Sequence, residues 1–538
     1  MVGGVLLYYK NKRKKTSTDD NVFVLTLALE TDVWQRDKLN TLFASCNKVK
    51  NALIRKELNK LNQLEQTREW KFIQSNLSIL YDKKSKLKKG NSLSKEDTLK
   101  LNNLCKQRNA LLKKYKLSKN SFEKDVSLIY KHFKSVHSAI AQKISYSVWS
   151  AFEDYLFNGG KHIHFSKYID FLSIEGKSNL TGIRFFDGFV SYSTAKFKPI
   201  VIRVRFDKKD KYCYETQALQ RPIHFCKLIR KWYEDGFHYF VQLVLGGYPP
   251  IKIDTDTGIP LHCIGTGNVG NDIGTQTLAT VADTKVQINI LAESVDNIEK
   301  ELHIINRAMD RSRRSTNPDM FNADGTVKAK NELSPNLLHE NGKRKWYKSK
   351  NYKRLSAKRR FLYRKQRELR IQQHCELANK LIELGDKHYI EKMSFKGLAK
   401  RSKNDLKSQK GKLKSKKRFG KSIANKAPAT FVKIYEQKVK SCGGEFFYIN
   451  TFKVKASQYN HETKICKKKK LFQRWNTMQD GTKIQRDLYS AFLIQHTNET
   501  LDGFDQSSIE IDYPTFLKMH NQEIEHLKTK ILPTSVGL

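Results

Sequence analysis

Paired cysteines are missing from this sequence. Its eight cysteines, at positions 46, 105, 213, 226, 263, 375, 442 and 466, are scattered and never form a CxxC pair. Neither a disulfide framework nor a knuckle of paired zinc ligands is expected, and a reducing interior fits. Long apolar runs are missing as well. No stretch approaches the ~18 residues that span a bilayer, so no membrane partner is expected and the expected location is the cytoplasm. The apolar patch at 4–9, ahead of NKRKK at 11–15, is too short for a secretory signal core. Residues 1–20 therefore read as a loose, disordered tail. Acidic residues are scarce: 54 Asp and Glu stand against 101 Lys and Arg, a formal net charge of +47. Solubility needs far less. The excess points to a polyanionic partner, because each neutralised phosphate releases a counterion.

What is present rules out a small histone-like or ribosomal protein. The chain has 538 residues, with 23 Tyr, 29 Phe and 6 Trp, enough for several packed domains and for surfaces on which bases stack. Residues 21–31 alternate as a strand, in a first piece of barrel placed at 21–32. From 33 to 157 the period becomes helical, with Leu42, Cys46, Val49, Leu53 and Ile140, Ile144, Val148, Phe152 at core spacing. Lysine clusters at 83–89 and 113–114 flank these helices. They suit a lobe that grips a duplex better than a merely solvated bundle. Residues 158–255 return to short strands, at 183–186, 200–206, 223–229 and 237–245. With the early strand they suggest a small antiparallel β-barrel interrupted by the helical lobe. Pro249, Pro250 and Pro260 mark a linker.

The rest of the chain is organised around 269–281, VGNDIGTQTLATV. It reads as a buried strand carrying Asp272 that doubles back into two more strands. Asp272 taken alone is equally well a strand-end turn cap. Two further acids change the balance. A helix at 294–314 places Val295, Ile298, Leu302, Ile305 and Met309 on one seam, and a basic helix at 352–384 repeats Leu355, Leu362 and Leu369. These form a helical hairpin insertion, 294–384, whose outer face KRLSAKRRFLYRKQRELR suits a phosphate backbone. Lys353, Arg354, Arg359 and Arg360 on it are candidate nucleic-acid contacts. So are Lys400 and Arg401 in the basic stretch 396–426, which is expected to be mobile without nucleic acid. HYIE at 388–391 is a short strand ending on Glu391. A helix follows at 428–442, then a strand at 445–449. A last helix is expected at 483–496, with Asp487 on its inward face.

The order strand–Asp, hairpin, helices, strand–Glu, helix, strand, helix–Asp is that of an RNase H-like α/β domain, placed at 256–497. Roughly a hundred residues separate each acid from the next, so no local loop of the EF-hand kind explains them. Only the fold can bring them together. Three such carboxylates would hold two Mg²⁺ ions, with Mn²⁺ able to substitute, against a phosphodiester.

The segments GNDIGTQTLATV, HYIEKMSFKGL, GGEFFYINTFKVKASQYNH and DGTKIQRDLYSAFLI resemble the TnpB family. These are transposon-encoded, RNA-guided nucleases related to type V CRISPR effectors. LFASCNKVKNALI and AIAQKISYSVWSAFEDYL are similar to that family's opening lobe, and the resemblance runs from about residue 21 to 496. It implies a multidomain α+β protein: a β-barrel wedge interrupted by a recognition lobe, then a RuvC-like nuclease domain. It also implies a catalytic and metal-binding triad of Asp272, Glu391 and Asp487. The implied partners are a guide RNA and double-stranded target DNA, bound by a monomer beside a short flanking motif, with sequence read by guide pairing.

Three departures from that pattern stand out. The family's two CxxC pairs are absent, leaving only Cys442 and Cys466 between the second and third acids, so no zinc is expected. Asn271 replaces an aliphatic residue beside the first acid. Tyr489 replaces an Asn after the third. The acidic tail 498–538 has no counterpart in the family. Two other readings stay open: a guided DNA-binding repressor that no longer cuts, and an RNase H-like transposase.

Overall fold

The structure, a computed structural model, describes residues 21–87, 92–194, 198–207, 209–340, 342–399, 419–451, 453–470, 472–530, 533 and 536–537. The expected disordered tail at 1–20 and most of the basic stretch 396–426 lie outside them. The chain divides into two compact units. The first comprises the residues up to Asp210, Glu215–Lys231 and Phe237–Gly247; the second comprises Lys211–Tyr214, Trp232–Gly236 and the chain from Tyr248 onward.

In the first unit, strand β1 (Val22–Glu30) alternates exposed and buried residues, as a strand with one face on a core must. Asp32 then stops the strand and starts helix α1 (Val33–Gln66). Its carboxylate accepts from the Gln35 N–H at 2.6 Å while the Gln35 side chain accepts the Asp32 N–H at 3.1 Å, a reciprocal cap. Helices α2 (Arg68–Lys86), α3 (Lys95–Lys114), α4 (Lys119–Tyr130) and α5 (Ser138–Phe157) follow. The apolar positions picked out by helical spacing in α1 and α5 are buried.

Strands β2 (Ser173–Glu175), β3 (Ile183–Phe186), β4 (Phe189–Tyr192) and β5 (Ile200–Arg205) precede helix α6 (Tyr214–Leu219), β6 (Ile223–Tyr233) and β7 (Gly236–Gly246). They pair in the order β2-β6-β7-β1-β5-β4-β3. Among the described residues this is a curled antiparallel sheet with two ends, not the closed barrel expected. β2 and β3 lie at opposite ends of that order and are both short, so neither has the length to complete a ring.

Two buried charges organise this unit. Arg230 on β6 is 1% exposed. It donates to the carbonyl oxygens of Phe171 (3.1 Å) and Tyr168. Its guanidinium also lies over the rings of Phe43, Tyr168 and Phe237, at 4.7, 4.2 and 4.0 Å from their centroids. Such a site demands the planar, delocalised cation of arginine.

Glu57 on α1, wholly buried, is 3.0 Å from Lys60. Burial, then a hydrogen bond with Asp125, pushes it up to about 7 from 4.5. An acid shifted that way stabilises fully below its unfolded value and loses the contribution as pH rises through 7. Glu57→Gln, which stays neutral, is expected to match wild type near pH 4.5. At roughly pH 8.5 it should be more stable by about 3 kcal/mol. Urea melts at the two pH values measure this, and parallel curves would refute it.

The second unit is built on a mixed sheet: β8 (Asn268–Ile273), β9 (Thr277–Ala282), β10 (Lys285–Ile290), β11 (Lys387–Glu391) and β12 (Glu445–Ile449), in the order β10-β9-β8-β11-β12. β8–β9–β10 is an antiparallel meander, and β11 and β12 add in parallel to β8. Between β10 and β11 run helices α7 (Val295–Thr316) and α8 (Lys350–Ile382). Ser294 meets Gln373 at one end of this pair (2.7 Å) and Ser312 meets Ser349 at the other (2.9 Å), so the helices are antiparallel. The five seam residues of α7 are the buried ones, and four of them, Ile298, Leu302, Ile305 and Met309, pack with Leu362.

After β11 come α9 (Phe395–Ala399), α10 (Gly420–Lys426) and α11 (Pro428–Ser441). After β12 come the ribbon β13 (Trp475–Thr477) with β14 (Lys483–Gln485), then α12 (Arg486–Gln495) and α13 (Gln506–Lys528). One core joins the sheet to α11 and the end of α8 through Ile390, Phe431, Tyr435 and Leu381. The other joins it to α12 and α13 through Ala279, Val281, Phe492 and Phe516.

Two expectations change. Lys483–Gln485 is not the first turn of a helix but a strand, because its residues pair with Trp475–Thr477 and Gln485 keeps an extended backbone. Nor is the acidic stretch at 498–538 only a tail. Its helix α13 buries Ile509, Phe516, Ile524 and Leu527 in the sheet's core, and Phe516 stacks on Phe492 with centroids 4.3 Å apart.

Candidate active site

Residues 268–271 of β8 lie beside 387–390 of β11 in parallel register, Ile390 opposite Asn271. The next residue on each strand is an acid, Asp272 and Glu391. Neighbours in a parallel ladder share a face, so both carboxylates leave the same end of the sheet on the same side. That side is covered by α12, which lies against β8 closely enough that Gly270 has no room for a side chain. A Cβ there would sit 2.1 Å from the Ala491 carbonyl oxygen.

Asp487 is the second residue of α12. It therefore lies in the helix's first turn, where the macrodipole favours a carboxylate, rather than in mid-helix. The topology thus gathers all three predicted acids. Asp272 registers the crowding: burial first, then the charges of Glu391 and Asp487, push its carboxyl well above the usual range. The Arg486 guanidinium and the Ser490 hydroxyl pull it back in part. Burial likewise raises Glu391.

Asp487 is held by its own neighbours. Arg486 donates to Oδ1 from Nε (3.3 Å) and from its terminal nitrogen (3.2 Å), and Gln485 Nε2 lies 3.4 Å from Oδ2. Three hard carboxylates, two of them raised by burial and Asp272 within electrostatic reach of the other two, suit a divalent cation in kind. In spacing they are not yet set for one. Among the described residues no group of three His, Cys, Asp or Glu stands at metal-holding distances. The chemistry fits; closing the set requires Asp487 to exchange Arg486, on Oδ1, for the ion while Gln485 stays beside Oδ2. Neither of these residues was singled out from the sequence, although an arginine abutting an acid in QRDLY was a readable signal.

Asn271, the odd polar residue beside the first acid, points to the opposite face. It accepts from Thr280 Oγ1 at 3.0 Å, and its amide lies 3.4 Å from the Tyr389 carbonyl and 3.5 Å from the Tyr435 hydroxyl. Tyr435 in turn meets His388 Nδ1, and His388 Nε2 lies 2.9 Å from the Gly385 carbonyl. A carbonyl only accepts, so Nε2 carries the proton and Nδ1 takes the tyrosine's. Burial keeps this histidine neutral, down to about 4, and raises Tyr435. All the donors in this buried chain point the same way.

Tyr489, the other departure, fastens the loop between β12 and β13. Its hydroxyl lies 3.0 Å from the His461 N–H and 2.8 Å from His461 Nδ1, while Gln506 on α13 donates to the His461 carbonyl at 2.9 Å. Cys442 is half-buried at the end of α11, and Cys466 is exposed in a bridge to Tyr459.

The candidate nucleic-acid contacts fare unevenly. Lys353 and Arg354 are exposed on α8. Arg359 is half-buried and reaches Asn306 at 3.3 Å, and Arg360 lies over the Trp232 ring. Lys400 and Arg401 lie outside the described residues. No described helix is long and apolar enough to cross a membrane.

No family model matches this chain, and no curated protein does. Solved structures similar to it include a cryo-EM structure of a Cas12f1–sgRNA–target DNA complex and one of a CRISPR-Cas12f ternary complex. Each match covers 89% of this chain and 99% of the other at 12% identity, with TM-scores of 0.42 and 0.25. A likeness that distant carries no functional argument, which rests on the site itself.

Proposed function

We propose that this chain is an RNA-guided DNA endonuclease of a mobile element, hydrolysing phosphodiester bonds at Asp272, Glu391 and Asp487. One observation carries the reading. Two acids distant in sequence leave one end of one sheet, and a third on the first turn of α12 lies near enough to raise the first, at a cost that burial alone makes large. Proteins keep such an arrangement where a function needs it. The net charge of +47 supplies the attraction for RNA and DNA, and the motif resemblance to TnpB supplies the guided mode. Cas12f-like guided complexes are the kind of assembly this reading implies for the chain.

The residues that would hold two Mg²⁺ ions are the three acids. When bound, such ions acidify a water and stabilise the leaving oxygen. Asp272 and Glu391, fixed by strand register, form the rigid half of the site. Asp487 forms the adjustable half, since its partners are side chains and its helix begins one residue earlier. Arg486 balances charge while the site is open and turns to the DNA phosphate once Asp487 is released.

The spacing of the acids as they stand favours a second reading, a guided DNA-binding repressor that does not cut. Purifying the chain with its associated RNA, sequencing that RNA and presenting matched supercoiled DNA separates the two. Cutting in Mg²⁺, lost in EDTA and with unmatched DNA, is the expected result. Guide-dependent binding without cutting in either Mg²⁺ or Mn²⁺ would establish the repressor instead.

A further inference from the structure

The ribbon that delivers Asp487 is gripped by the last described residues of the chain. Gln485, wholly buried, stands at the junction of β14 and α12 and uses its whole side-chain amide. Oε1 accepts from the Leu488 N–H at 2.8 Å and caps α12. Nε2 donates to the Val536 carbonyl at 3.2 Å and faces Asp487 Oδ2 at 3.4 Å. Its backbone N–H meets His520 Nε2 on α13 at 3.0 Å. Trp475, paired with Gln485 across the ribbon, donates its indole N–H to the Gly537 carbonyl at 3.0 Å. A Cβ on Gly537 would lie 2.4 Å from Arg474, so Gly537 sits close against the residue next to the ribbon.

We infer that Gln485 is a positioning residue through which Val536 aims the Asp487 carboxylate at the cation site. The inference rests on the nuclease reading. Of the two amide hydrogens of Gln485, the one directed at the Val536 carbonyl fixes the plane of the amide. That leaves the other pointed at Asp487 Oδ2. With Val536 in place the carboxylate has a defined orientation behind which the cation can be met. Without it the amide is held at Oε1 alone, its NH₂ can tilt away from Oδ2, and Asp487 is left to Arg486. Partners of this kind, one bond removed from a metal ligand, commonly govern affinity by ten- to a hundredfold. The Val536 side chain is itself fully buried, which makes the position of its carbonyl a property of the fold.

The test uses the full chain with its co-purified RNA, Mn²⁺ as probe, and electron paramagnetic resonance to count free ion. Two variants are measured: Gln485→Met, which keeps the volume and removes the amide, and a chain lacking 533–538, which keeps Gln485 and removes its Val536 acceptor. Both are expected to weaken Mn²⁺ binding about tenfold. The Mg²⁺ midpoint for cutting should move in parallel, with the rate at saturating metal largely kept. Ile524→Val, which loosens α13 without touching Gln485, is expected to lower the melting temperature and leave Mn²⁺ affinity unchanged. If Ile524→Val weakens Mn²⁺ as much as the other two, the role is structural and the inference falls. It also falls if both variants bind Mn²⁺ as wild type does while Asp272→Asn does not. Should wild type show no Asp272-dependent Mn²⁺ binding at all, the nuclease reading itself fails and takes this inference with it.

Discussion

Asp272→Asn is expected to abolish cutting and, at the same time, to make the second unit more stable. The two effects have one cause. The Asp272 carboxylate is raised by burial and by two neighbouring acids, with Arg486 as partial relief. Asparagine keeps the shape and removes the charge, so it ends the repulsion. Relief of this kind at functional sites commonly yields about 0.5–2 kcal/mol. Without added divalent cation, the urea midpoint of the variant should exceed that of wild type. The gap should widen as pH rises, because an acid raised in the fold loses its stabilising contribution once it ionises. Loss of a metal ligand forfeits several kcal/mol of transition-state stabilisation, roughly a thousandfold in rate or more. A variant that is both less stable and fully active would show Asp272 to be an ordinary turn residue.

Gly270→Ala should be the most damaging single methyl in the second unit. Its Cβ would meet the Ala491 carbonyl oxygen at 2.1 Å and the Gln495 nitrogen at 2.3 Å, both backbone atoms of α12. No side chain can swing aside, so strand and helix must separate. Overpacking against a rigid partner costs about 3 kcal/mol or more. Separation of β8 from α12 also pulls Asp272 away from Asp487, so cutting should fall with stability. Gly274→Ala is the matched control. Its nearest neighbour is the Thr277 side-chain oxygen at 3.2 Å, and its melting temperature should change little. Equal melting temperatures for the two alanine variants would mean that the helix yields.

Much of this was legible in the sequence wherever period and chemistry agreed. The seam of α7 could be read because its apolar residues recur on one face and its polar ones on the other. The acids could be read because three of them stand in order amid apolar sequence, where one alone would pass for a turn cap. The junction at Gln485 could not, since Lys483–Gln485 continues the helical spacing of α12 and only pairing with Trp475–Thr477 makes it a strand. Helix α13 escaped for a related reason: Ile509, Phe516, Ile524 and Leu527 lie on a helical face, but acids between them make the stretch look like a solvated tail. Asn271 and Tyr489 were visible as anomalies. Their partners Tyr435 and His461 are distant in the chain, so their roles belong to tertiary structure alone.

The buried relay from Thr280 to the Gly385 carbonyl has an evolutionary corollary. Every link gives a hydrogen forward and receives one from behind, so no member can turn apolar without stranding the next. A lineage drifting back to an aliphatic residue beside the first acid must therefore alter Tyr435 and His388 in the same step or soon after. Homologues should show the trio changing as a block, with mixed sets rare.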